Sequence, residues 1–126
     1  MTKKKYDITV SAHSEFVADH SDVDNKQYAF AYMITIENKG SVGAQLITRH
    51  WVITDANEKL QEIHGEGVVG EQPFLRPGES FSYTSNTLLE TPVGTMRGDY
   101  GMLAEDGTRF NAKVKEFTLS IPRTLH

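Results

Sequence analysis

Apolar and polar side chains alternate with period two along nearly all of this 126-residue chain. No stretch long enough for a helix of about ten residues shows the helical period. In "YDITVSAHSEF", Ile8, Val10 and Ala12 fall on one face, and Asp7, Thr9 and Ser11 on the other. That pattern makes a strand with one wet side. In "QYAFAYMITIENKG", Tyr28, Phe30, Tyr32, Ile34 and Ile36 recur at steps of two before the turn signal "NKG". Leu46, Thr48, His50 and Val52 share one face of the next run; Ile47, Arg49, Trp51 and Ile53 share the other. "DANEK" reads as its hairpin turn, with Leu60 and Ile63 on the return strand. A loop is expected at Arg76–Glu79, and "EDG" marks another hairpin. Ser85–Glu90 is the best helical stretch, and it is too short for more than a turn.

Short strands punctuated by turns predict an all-β fold. The expectation is an antiparallel sandwich of immunoglobulin or fibronectin type III kind, with seven or eight strands. Trp51 should lie between the sheets. Ala29, Ala31 and Met33 should face outward, a small apolar set that suggests a covered surface. The length fits one domain over residues 1–126, with a flexible basic tail at about residues 1–5.

The chain has no cysteine, which excludes disulfides, thiolate metal sites and thiol chemistry, and fits a reducing compartment. Its net charge of -4 argues against a nucleic-acid partner. No signal peptide and no apolar run near the ~20 residues of a membrane span is visible. A cytoplasmic protein without membrane insertion is expected.

One motif stands out. "HGEGVVGEQP" holds G-x-G-x-x-G at Gly65, Gly67 and Gly70. A dinucleotide fingerprint requires a helix after the glycines, whose N-terminus holds the pyrophosphate. Here Pro73, Pro77 and Gly78 follow, so no such helix can form. Glu62, Glu66 and Glu71 surround the glycines, and the nearest cation downstream is Arg76. Two readings remain: a loop joining strands, or a small anion nest of backbone N–H groups with Arg76.

No catalytic constellation is visible, and no serine sits in G-x-S-x-G. "YTS" at Tyr83–Ser85 reads as ordinary sheet. The carboxylate pairs Asp22/Asp24 and Glu105/Asp106 fall in turns. The chain is expected to be no enzyme and to carry no cofactor. For a metal, the weak candidates are His13, His20, Asp22 and Asp24. "DVDNK" begins like a calcium loop but places Lys26 where a ligand belongs. His50 is expected to be half-buried and hydrogen-bonded. His64 is expected to cap a carbonyl or touch a ligand at the start of the glycine loop, apart from His50.

Three blocks in order, "HGEGVVGEQP", "LRPGESFSYTS" and "TPVGTMRGDYGM", are similar to the ApaG family. The resemblance runs from "YDITV" to "FTLSIP". It implies a fibronectin type III-like sandwich and little chemistry. Related domains in F-box proteins and in a polymerase-interacting protein imply a protein-binding module. Bacterial members imply an association with cobalt resistance and magnesium efflux, and with a neighbouring diadenosine tetraphosphate hydrolase. The family's glycine motif has been compared to pyrophosphate-binding loops; here it is Gly65, Gly67 and Gly70. The expected function is therefore a non-catalytic binding module with protein partners, a second copy of the chain among them. The alternative is a sensor for a pyrophosphate-type anion or a divalent cation.

Overall fold

The computed structural model describes residues 3–122. Eight strands follow in chain order: β1 Ile8–Phe16, β2 Tyr28–Asn38, β3 Ala44–Asp55, β4 Leu60–Glu66, β5 Phe74–Leu75, β6 Ser80–Leu89, β7 Val93–Ala104 and β8 Arg109–Ser120. They form two antiparallel sheets. The smaller has the order β1-β2-β6. The larger runs β4-β3-β7-β8, with β5 also paired to β3. Both halves of the expected sandwich are present. Two single-turn 3₁₀ helices, Ala18–His20 and Val23–Asn25, lie in the polar loop after β1.

The inner face of β2 supplies Phe30, Tyr32, Ile34 and Ile36, all buried. They pack against Trp51, Ile53, Met96, Tyr100, Met102 and Leu119 of the larger sheet. Trp51 makes edge contacts with Tyr32, Tyr100 and Phe117 at centroid distances of 5.7, 5.9 and 6.1 Å. Such contacts add about 0.5–1.5 kcal/mol each beyond burial. Deep in this core the hydroxyls of Tyr83 and Tyr100 hydrogen-bond to each other.

The turn chemistry agrees with the sequence. Asp55 Oδ1 accepts from the N–H groups of Asn57 and Lys59, closing the "DANEK" turn. Gly107, in the left-handed region at φ 90°, turns the β7–β8 hairpin. Asn38 is buried; its side-chain amide donates to the carbonyls of Val42 and Leu75 and accepts from Gly40 N–H. The carbonyls of Lys4 and Lys5 accept from Ser41 and Val42, which ties the tail to this corner; Met1 and Thr2 lie outside the described residues.

Three local expectations are corrected. Ser85–Glu90 is not a helical turn: β6 runs through Ser85 to Leu89, fully paired with β2 from Tyr28↔Leu89 to Glu37↔Ser80. Strict alternation also fails in β3. A bulge between Leu46 and Thr48 inserts one extra residue, so both Leu46 and Trp51 point inward although they sit an odd number of residues apart. Leu46 therefore does not share a face with His50 and Val52. The third correction concerns the outward face of β2. Ala29 is buried there by the chain itself: its N–H donates to Ser21 Oγ and its carbonyl accepts from Val17 N–H. Met33 and Leu88 remain exposed on that face, at 46% and 55%.

Candidate functional site

The glycine motif folds over one end of the sandwich. Val68, between the glycines, is completely buried and plugs the core. Val69 and Gly70, at φ 44° and 80°, form a two-residue turn closed by Val68 N–H to Glu71 O at 2.8 Å and Glu71 N–H to Val68 O at 2.9 Å. Positive φ at both central residues is the mirror-image turn that suits a tight hairpin. Gly67, at φ 65°, donates its N–H to Ile47 O. Arg49 reaches across from β3 and donates through Nη1 to the carbonyls of Glu66 and Gly67, at 3.0 and 2.9 Å. Its guanidinium lies where a Cβ on Gly65 would be. The N–H groups of Gly67, Val68 and Glu71 are thus committed to main-chain carbonyls. Arg76 is exposed, in the turn after β5, where its own N–H donates to Glu79 Oε1. The cation that holds this loop is Arg49, not the Arg76 that the glycine motif points to downstream.

The ionisable side chains gather on the outer face of the larger sheet. Register aligns His64, His50, Asp99 and Lys113 in one row across β4, β3, β7 and β8. The expectation that His50 and His64 are apart is corrected here: they are direct cross-strand partners, with rings stacked at 4.3 Å and 13°. Glu62 lies one step along the same face of β4. Its Oε2 is 2.7 Å from His50 Nε2 and 3.5 Å from His64 Nε2. An ionised carboxylate only accepts, so in this state His50 Nε2 carries the proton. The hydrogen bond from His50, with the histidine charges beside it, holds the Glu62 carboxyl below its ordinary value. On the other side, Asp99 Oδ2 is 3.9 Å from His50 Nδ1. Open grooves flank the row, one toward Gly65 and Glu66, the other toward Arg97, Asn111 and Lys113.

The earlier metal candidates are placed separately. His13 is on β1, where its Nε2 meets Glu15 Oε1. His20 ends the first 3₁₀ helix, and Asp22 accepts from the Asn25 amide. Among the described residues, the group of three side chains whose ligand atoms all lie within 4.8 Å is His50, Glu62 and His64. His50 is half-buried and hydrogen-bonded, as its strand position suggests.

These features define a β-sandwich domain whose core is apolar and whose outer sheet face carries a row of ionisable groups. Residues 18–104 match the model of the ApaG domain. Protein ApaG of Thiobacillus denitrificans is 58% identical over 98% of this chain and 97% of its own length. Protein ApaG of Methylobacillus flagellatus is 55% identical over 100% of both. The crystal structure of the ApaA protein from Bordetella pertussis matches with a TM-score of 0.94 at 52% identity, covering 97% of this chain and 99% of that one. The chain belongs to the ApaG domain family.

Proposed function

We propose that this chain is a non-catalytic, cytoplasmic binding module that recognises a protein partner through the outer face of its larger sheet, and that it serves divalent-cation homeostasis. The observation that carries the reading is the row His64–His50–Asp99–Lys113, continued by Arg97. These side chains contribute nothing to the core and are held on a rigid sheet beside two grooves. Sites built on strands keep their geometry better than sites on loops. The non-catalytic part rests on the histidine partners. His13, His50 and His64 each face a carboxylate, and no serine or threonine hydroxyl is among their hydrogen-bond partners in the described residues. The Ser–His or Thr–His pair that commonly activates a hydroxyl nucleophile is therefore not assembled at these three histidines. Among the described residues no helix is long and apolar enough to cross a membrane. The test is affinity capture compared across three baits: the native chain, Arg97→Glu/Lys113→Glu, and a control reversal on the smaller sheet, Glu15→Lys. A partner held by the native and control baits and lost with the double reversal supports the reading. An unchanged set of captured proteins overturns it.

One observation favours the sensor reading in its cation form. His50, Glu62 and His64 place two imidazole nitrogens and a carboxylate oxygen together. The anion form has less support, because three N–H groups of the glycine loop already serve main-chain carbonyls.

A further inference from the structure

We propose that His50 Nε2, His64 Nε2 and Glu62 Oε2 form a surface site for a divalent transition-metal ion of the zinc, nickel or cobalt kind, with Asp99 as the carboxylate behind His50. This rests on the cation reading of the same face and names its ligands and its metal class.

Geometry comes first. A tetrahedral ion with bonds of about 2.0–2.1 Å needs ligand atoms roughly 3.3 Å apart. Glu62 Oε2 stands 2.7 Å from one imidazole nitrogen and 3.5 Å from the other, on either side of that spacing. The two rings are nearly parallel, so their lone pairs converge only if one ring turns. The His64 side chain is 71% exposed and has room to do so. His50, at 28%, is the anchored member.

The donor set decides the metal. Two imidazoles and one carboxylate suit zinc, nickel, copper and cobalt, whereas magnesium prefers oxygen ligands and keeps its waters. Three protein ligands on an open face leave the remaining positions to water or to a partner's side chain. A ligating histidine ordinarily offers its second nitrogen to a carboxylate, which fixes its tautomer and orientation. Asp99 Oδ2 stands on that side of His50. Binding needs the Nε2 lone pair, so the hydrogen that His50 Nε2 now donates to Glu62 passes to Nδ1, on the Asp99 side, and Glu62 Oε2 turns from acceptor to metal ligand.

The experiment is an amide NMR titration of the untagged full chain in a non-chelating buffer. Zn²⁺ is read by shifts, Co²⁺ by paramagnetic broadening, and Mg²⁺ serves as the comparison. Saturable Zn²⁺ shifts and Co²⁺ broadening centred on His50, Glu62, His64 and Asp99 are expected, with Mg²⁺ far weaker. His64→Gln and Glu62→Gln should each weaken Zn²⁺ by about tenfold or more, and Asp99→Asn by about tenfold. His13→Gln/His20→Gln should leave the affinity unchanged. Thermal unfolding of each variant confirms that it folds. Broadening centred on residues 13–24 overturns the proposal, as does broadening that survives His50→Gln/His64→Gln. So does the absence of a saturable response at millimolar Zn²⁺, or Mg²⁺ binding as tight as Zn²⁺. The binding-module reading is tested separately at Arg97 and Lys113. Capture that survives the Arg97 and Lys113 reversal with metal binding intact fails the binding-module reading alone, whereas no metal binding with capture still dependent on Arg97 and Lys113 fails the metal site alone.

Discussion

Alanine at Gly67 and at Gly70 should separate two roles of glycine that look identical in the sequence. Both residues have positive φ, at 65° and 80°. An L-residue in the left-handed region costs about 1–2 kcal/mol. Alanine also restricts the unfolded chain, which returns about 0.4–1 kcal/mol. At Gly70 nothing lies within 4 Å of an added Cβ, so Gly70→Ala should cost about 1 kcal/mol net. At Gly67 the added Cβ would stand 2.3 Å from the carbonyl oxygen of Glu71. That oxygen is main chain and accepts from Val68 N–H, so it cannot swing away without opening the turn. Forcing an extra methyl into packed structure adds about 1–3 kcal/mol. Gly67→Ala should therefore cost about 3 kcal/mol in total. The single tryptophan, buried at 2% exposure, provides the assay: its fluorescence through a urea titration, fitted as two-state. In melting temperature the two losses correspond to roughly 4 °C and 12 °C. Equal losses at the two positions would refute the reasoning, since the close approach of Glu71 would then have no energetic consequence. The outcome also governs ligand tests. Gly67→Ala destabilises the domain whatever the loop binds, so Gly70→Ala is the variant for testing an anion.

Val69→Asn should stabilise the fold by about 1 kcal/mol in the same urea assay, because a β-branched residue at φ 44° is strained and Asn-Gly is the preferred pair for this turn. The Tyr83–Tyr100 hydroxyl pair predicts a strongly non-additive cycle. Tyr83→Phe alone should cost about 1–3 kcal/mol by stranding a buried hydroxyl, and Tyr100→Phe should then add little. Alkaline unfolding should follow the same pair. Burial pushes the Tyr83 phenol up to about 12 and raises Tyr100 as well, the latter further through its contact with Tyr83. Both folded values lie above the unfolded one near 10, so this stability is intact below about pH 10 and falls by about 1.4 kcal/mol per pH unit for each phenol above it. Urea midpoints measured across that range, against the double phenylalanine variant, check the slope.

Period-two patterning named the inner face of β2 residue by residue because β2 has no bulge and its partners pair in unbroken register. It failed where the ladder is interrupted. The extra residue between Leu46 and Thr48 flips the parity of everything after it in β3, and the register also shifts between Met96 and Gly98 against β8. A bulge is a property of two strands, so neither strand announces it alone. The strand character of Ser85–Leu89, within the expected turn Ser85–Glu90, is hidden for a related reason. Its serine, asparagine and threonine residues have weak local preference, and pairing with β2 decides the outcome.

The candidate site was closer to the surface of the sequence than the glycine motif suggested. The "DANEK" turn already placed Asp55 near Lys59, and those two residues do close the hairpin. Counting five residues back from Asp55 reaches His50, and five forward from Lys59 reaches His64. A regular antiparallel ladder makes such residues neighbours on one face, and Glu62 lies two residues from His64 on that face. Register carried from the turn into the strands pairs the two histidines, a relation that neither histidine's own neighbours in the sequence reveal. Asp99 could not be reached the same way, because its place beside His50 depends on the pairing of β3 with β7, which no turn connects. Local turn chemistry thus exposes the part of the site that one hairpin builds. The carboxylate behind it appears only once the sheet is assembled.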